Sequence, residues 1–126
     1  MAVIQPIITC VLDHAGSVVP GAFIYTWLNV TAADSCAPAR LPSHADKSIQ
    51  AVFNGGTPTW GVEGSNDPAL AAYQDLNDPQ GNALTGIATA KIEQLLENVA
   101  AVRPKTPAGT TPNVTFYLMA YAAARR

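Results

Sequence analysis

The sequence predicts an all-β chain, a jelly-roll-like antiparallel β-sandwich with one short helix; the immunoglobulin-like sandwich is the alternative. Three observations lead there. Ten prolines and nine glycines are spread along 126 residues and cut the chain into short segments. About seven or eight of those segments pattern as strands, with turn chemistry between them. The stretch Thr59–Gly81, TWGVEGSNDPALAAYQDLNDPQG, shows that grammar most clearly. Trp60 and Val62 alternate with Gly61 and Glu63, the period of a half-buried strand, and Ser65-Asn66-Asp67-Pro68 then turns the chain. In Asp78-Pro79-Gln80-Gly81, Asp, Pro and Gly occupy the positions that a type I turn favours.

Taken in order, Ile7 to Leu12 reads as the first strand, followed by a loop in which Ala15-Gly16-Ser17 and Pro20-Gly21 surround Val18-Val19. Ala22 to Val30 is the strongest strand. Thr31 to Ala45, with Asp34, Pro38 and Pro42, reads as a long loop. Lys47 to Phe53 is a strand ended by Asn54-Gly55-Gly56, a tight-turn signal. Trp60–Glu63 and Tyr73–Leu76 are two more. In Thr89 to Val99, Ile92, Leu95, Leu96 and Val99 recur at helical spacing, which predicts a short amphipathic helix or a segment covering the end of the sandwich. Val99 to Arg103 reads as a strand closed by Pro104. Asn113 to Tyr121 is the last, after a Pro107-Ala108-Gly109 turn.

The length fits one domain, residues 1–126, able to bury roughly two thirds of its unfolded surface without metals or many disulfides. Apolar residues make up 48% and charged residues 13%, the latter about half the usual share of roughly 25%. So few charges imply that other chains cover part of the surface; a surface rich in Ala, Thr and Pro is the competing explanation. A net charge of −2 and a pI near 5.5 argue against electrostatic binding to nucleic acid or anionic lipid, with Arg125-Arg126 a local exception. No apolar run is long enough for a membrane-spanning helix. The beginning, MAVIQPIITCVLDH, lacks a basic region and holds Gln5 and Pro6, so it does not read as a signal peptide. Folding in a cytoplasm follows as an expectation, with Cys10 and Cys36 as free, buried thiols rather than a bridge.

Two strands are apolar on both faces. Phe23, Tyr25 and Trp27 point one way with Asn29, and Ile24, Thr26, Leu28 and Val30 the other. In the last strand Val114, Phe116, Leu118 and Ala120 oppose Thr115, Tyr117, Met119 and Tyr121. Either an aromatic row meets another subunit, or the same chain covers it. The first reading makes Tyr25, Trp27, Tyr117 and Tyr121 the candidate protein-interface residues and predicts self-association, as a homodimer before a trimer.

Residues that carry chemistry are sparse. Asp13 and His14 are sequence neighbours and would point to opposite faces of a strand, and nothing around Cys10 suggests an activated thiol. His44 is the only other histidine. Glu93 and Glu97 would share a helix face as a solvated stripe. Glu63, Asn66, Asp67, Asp75 and Asp78 offer oxygen ligands for calcium, but their spacing matches no calcium loop and Asn and Asp are ordinary turn residues. The glycines fit no phosphate-binding motif, and the sequons at Asn29 and Asn113 have no secretion signal to support them. No catalytic residue, metal or cofactor is expected.

Six passages in order carry a likeness: PGAFIYTW (Pro20–Trp27), LPSHADKSIQ (Leu41–Gln50), VEGSNDP (Val62–Pro68), LNDPQGNALT (Leu76–Thr85), IEQLLEN (Ile92–Asn98) and VRPK (Val102–Lys105). Together they resemble a family of small structural proteins of tailed bacteriophages that decorate or cement the head. The chain departs from that family at Pro68-Ala69-Leu70-Ala71-Ala72-Tyr73, where a Gly/Thr stretch with Trp is usual, and at Ala100-Ala101, where an aromatic is usual. The resemblance implies a non-enzymatic capsid decoration (cement) protein on the head surface of the virion, with the major capsid protein and a second copy of itself as partners. A tail or neck component is the alternative within the virion. A discoidin-like carbohydrate- or ligand-binding sandwich is the alternative outside it.

Overall fold

The computed structural model describes residues 2–41 and 46–122, and those residues form strands, turns and loops without a helix. His44 and Arg125-Arg126 lie outside the described residues. Eleven strands occur in chain order: β1 (Val3–Ile4), β2 (Ile7–Leu12), β3 (Val18–Thr31), β4 (Ser35–Cys36), β5 (Ala39–Arg40), β6 (Asp46–Thr59), β7 (Val62–Ser65), β8 (Gln74–Asp75), β9 (Ile92–Gln94), β10 (Ala101–Pro104) and β11 (Ala108–Tyr121). A five-stranded antiparallel sheet runs β2-β3-β11-β6-β9, and a four-stranded one runs β5-β10-β7-β8. A small parallel pair, β1 with β4, closes one margin.

The two sheets share one core. Trp27, Ile49, Val114, Phe116 and Leu118 enter it from the five-stranded sheet, and Val62 and Val102 from the other. Trp60, just before β7, meets Phe116 with ring centroids 6.1 Å apart and planes tilted by 59°, a favourable edge-on arrangement. Both indole N–H groups are satisfied by loop carbonyls: Trp27 Nε1 donates to Ala37 O and Trp60 Nε1 to Thr89 O, each at 2.9 Å.

Three strands are longer than the sequence suggests, each 14 residues. The loop expected around Val18-Val19 is the start of β3. It follows a tight turn in which Asp13 Oδ1 accepts the Ala15 and Ser17 amides, both at 2.9 Å. The expected turn at Asn54-Gly55-Gly56 does not form; β6 passes through it and pairs with β11, whose own start takes in Ala108 and Gly109 of the other expected turn. Irregular register between Thr110 and Val114 accommodates both departures. Gly56 makes this possible: its φ is +73°, and a Cβ there would run into the Thr111 and Thr110 carbonyl oxygens.

The helix expected over Thr89 to Val99 is also absent. Ile92–Gln94 instead pairs with Ser48–Gln50 as an edge strand, and Leu95 N donates to Lys47 O. The open edge of β6 takes up these amides, which a short isolated helix would have to satisfy alone. Of the apolar residues at helical spacing, Leu95 is buried while Ile92 and Leu96 are exposed. The long loop expected over Thr31 to Ala45 contains β4 and β5 among its described residues. Cys10 and Cys36 are both free, but Cys10 is exposed on β2 rather than buried.

Gly81 also has a positive φ, +88°, but open space around its missing Cβ. Gly56→Ala is therefore expected to lower unfolding free energy by about 2 kcal/mol or more, and Gly81→Ala by about 1 kcal/mol. Urea denaturation of the two variants beside the parent measures the difference; equal losses would mean that Gly56 is not a close-approach position.

Candidate functional site

The outer face of the five-stranded sheet carries an apolar concavity with an uncharged lining. β11 runs down its middle, with Tyr117 between Thr26 and Gln50 and Met119 between Ile24 and Ser48. Ile92 on β9 stands opposite Gln50. Ile24, Ser48, Gln50, Ile92, Tyr117 and Met119 line a shallow groove of about 380 Å³. Its floor is the backbone of three long paired strands, so its shape is held by ladder hydrogen bonds rather than by loops.

This face exists because a bulge divides β3. Register runs from Phe116↔Trp27 to Val114↔Val30, so Leu28 and Asn29 together oppose the single residue Thr115. Asn29 takes the left-handed conformation, φ 51°, which asparagine tolerates better than most residues. Its amide donates to Thr115 Oγ1 at 3.1 Å, and Asn54 Nδ2 donates to Thr115 Oγ1 at 2.8 Å and Asn29 Oδ1 at 3.0 Å. The bulge places Trp27 and Val30 on the same, inner face, where unbroken alternation would separate them.

The four expected interface residues therefore divide. Trp27 is 0% exposed and Tyr25 8%, both packed in the core of their own chain. Burial also pushes the Tyr25 hydroxyl above its ordinary pKa. Tyr117 and Tyr121 do face outward, Tyr117 exposed and Tyr121 half-buried. Ile92, expected on the inner side of a helix, is instead a wall of the groove, and Ile24 joins it from β3. Their period-2 placement beside Tyr117 and Met119 becomes visible once strand pairing is known.

The polar residues have structural partners. Asp67 accepts amides of Ala69, Ala71 and Ala72 at 3.0–3.1 Å, Asp78 those of Gln80 and Asn82, and Asn66 that of Ala100. Glu63 pairs with Arg103 at 3.3 Å and Asp75 with Lys105 at 2.9 Å, so the oxygens weighed as calcium ligands serve separate turns and ion pairs. Arg103 also lies 3.6 Å from the centroid of the Tyr73 ring. Glu97 accepts both the Asn77 amide and its side-chain Nδ2, while Glu93 lies 3.8 Å from Lys91. These two glutamates share no common helix face. Cys36 is a buried thiol pushed up to about 12, chiefly by desolvation, which keeps it protonated at neutral pH. Lys47 is buried and donates to Asn98 Oδ1 at 3.2 Å, with its pKa lowered by desolvation. Among the described residues, no three of His, Cys, Asp and Glu come together as a metal-binding group. Comparisons with protein-family models, with curated proteins and with solved structures found no match.

Core and surface aromatics should separate sharply in denaturation. Trp27→Ala is expected to cost about 3–5 kcal/mol, and Tyr117→Ala under about 1 kcal/mol. A comparable loss at Tyr117 would put it in the core.

Stability should also fall at both ends of the pH scale. Hydrogen bonds from Thr31, Ala71 and Asn82 hold Asp34, Asp67 and Asp78 below their ordinary values. For Glu97, burial acts upward, but bonds from Asn77 outweigh it. Depressed carboxyls bind fewer protons folded than unfolded, so their contribution is full above about pH 4–5 and lost below. Cys36 has the opposite sign: the unfolded thiol ionises first, so stability declines as pH rises from 9.0 towards about 12. Thermal midpoints from pH 3 to 10 check both limbs; Asp67→Asn should shallow the acid one and Cys36→Ala the alkaline one.

Proposed function

We propose that this chain is a non-enzymatic jelly-roll structural protein of a tailed-bacteriophage virion. It binds the outer surface of the assembled head and stabilises it, with the major capsid protein as its partner. The observation that carries the reading is the groove: an uncharged, apolar concavity floored by three long paired strands. Such a face is what a protein recognising another folded surface presents.

Strand order supports the jelly-roll part. Number β3, β5, β6, β7, β8, β9, β10 and β11 from one to eight. One sheet then reads first, eighth, third, sixth, and the other second, seventh, fourth, fifth, with β2 added at an edge. Two nested Greek keys give that interleaving. An immunoglobulin-like sandwich keeps its last strand at an edge, whereas β11 lies between β3 and β6. The resemblance of the six ordered passages to head-decoration proteins supports the phage part. The discoidin-like reading lacks its platform, because Trp27 and Trp60 are both buried.

The mechanism is mass action. A protein that binds only the assembled lattice stabilises it by about RT ln(1 + [L]/Kd) per site, and several contacts on one shell raise the effective concentration. Tyr117 and Tyr121, with Met119 and Ile92, form the contact; rigid aromatics lose little entropy on docking.

Heads prepared without this protein should fail at lower temperature or in low salt, and recover when it is added back. Tyr117→Ala with Met119→Ala should weaken binding to bare heads about tenfold or more while leaving the fold intact. Bare heads as robust as decorated ones, or the protein residing in purified tails, would overturn the reading in favour of another role or the tail-component alternative.

A further inference from the structure

The two sheets have four outer edges, and one is unlike the rest. β5 and β8 are two residues each and carry Arg40 and Asp75; β9 is three residues and carries Glu93. Short, charged edges are how soluble sheets avoid pairing with foreign strands. β2 has neither protection. It is six residues, Ile-Ile-Thr-Cys-Val-Leu, without a charge or a proline. Five of the six are exposed, Ile7 at 51%, Ile8 at 58% and Leu12 at 59%. One side of β2 pairs with β3, and among the described residues no strand pairs with the other.

We propose that β2 is a dimerisation edge. It pairs antiparallel with the same strand of a second copy across a two-fold axis, joining the two five-stranded sheets into one continuous sheet. The occupant is a second copy because the strand is complementary to itself. Antiparallel pairing sets uncharged residues against uncharged residues throughout 7–12. It also keeps the Asp13 of each copy at opposite ends, whereas parallel pairing would set those two carboxylates side by side. Each copy has one such edge, so the contact closes at two and does not propagate. Backbone hydrogen bonds supply the register and Ile7, Ile8 and Leu12 the apolar contact. The proposal does not depend on the head-binding reading, although a dimer would present two outer-face grooves to one lattice.

Sedimentation velocity of the full chain over roughly 1–200 μM, a span that brackets micromolar dissociation constants, should show a monomer–dimer equilibrium. Ile8→Lys should raise the dimer dissociation constant at least about tenfold, because a lysine on an exposed edge opposes strand pairing. Ile92→Lys, on the groove and the opposite edge, should leave it unchanged. Amide hydrogen exchange of the unmodified chain supplies a reading that no variant's folding can disturb: residues 7–12 should exchange more slowly as concentration rises, and residues 92–94 should not. A monomer throughout, a trimer, or dissociation caused by Ile92→Lys would overturn the proposal. So would exchange at residues 7–12 that ignores concentration.

Discussion

Two buried tryptophans set the terms for the rest of the molecule. An indole in a dry core needs a partner for its N–H, and here both partners are loop carbonyls rather than strand groups. Trp27 therefore pins the segment between β4 and β5 to the five-stranded sheet, and Trp60 pins the segment leading into β9 to the other. Phe116 meets the Trp60 ring from the central strand of the larger sheet. The loops at the ends of the sandwich are thus held by core residues. That allows a chain with few charges and many turns to keep a defined shape without a disulfide among its described residues.

The long ribbon β3-β11-β6 depends on the same arrangement and determines what is left outside. Its inner face is used up by the core, so its outer face is free to differ. There the alternation places Tyr117 and Met119 beside Ser48 and Gln50, not beside a covering helix. The polar knot of Asn29, Asn54 and Thr115 stabilises the bulge that keeps Trp27 and Val30 on one side. Losing it would favour simple alternation and move apolar residues to the wrong face.

Carboxylates illustrate how this chain uses its charges. Asp13, Asp67 and Asp78 each accept amides within their own loops, replacing ladder bonds that the backbone lacks at a turn. Lys47 on β6 and Glu97 beyond β9 lie near enough that each favours the charged form of the other. Such arrangements order loops.

By itself the sequence determined the all-β class, the short strand at Ile7–Leu12 and the Asp-centred turns. These follow from local chemistry: period-2 alternation, proline and glycine placement, and side-chain acceptors for turn amides. Only the tertiary structure decided the remainder. Ile92, Leu95, Leu96 and Val99 have helical spacing, yet the open edge of β6 offers hydrogen bonds that make a strand of Ile92–Gln94. Asn54-Gly55-Gly56 has turn chemistry, yet its partner β11 is long enough to continue the ladder through it. Tyr25 and Trp27 resemble interface aromatics, and become core because a bulge at Leu28–Asn29 and the facing sheet turn that row inward. In each case a partner distant in sequence outweighs a local preference of about 1 kcal/mol or less, and the sequence neighbours do not reveal that partner.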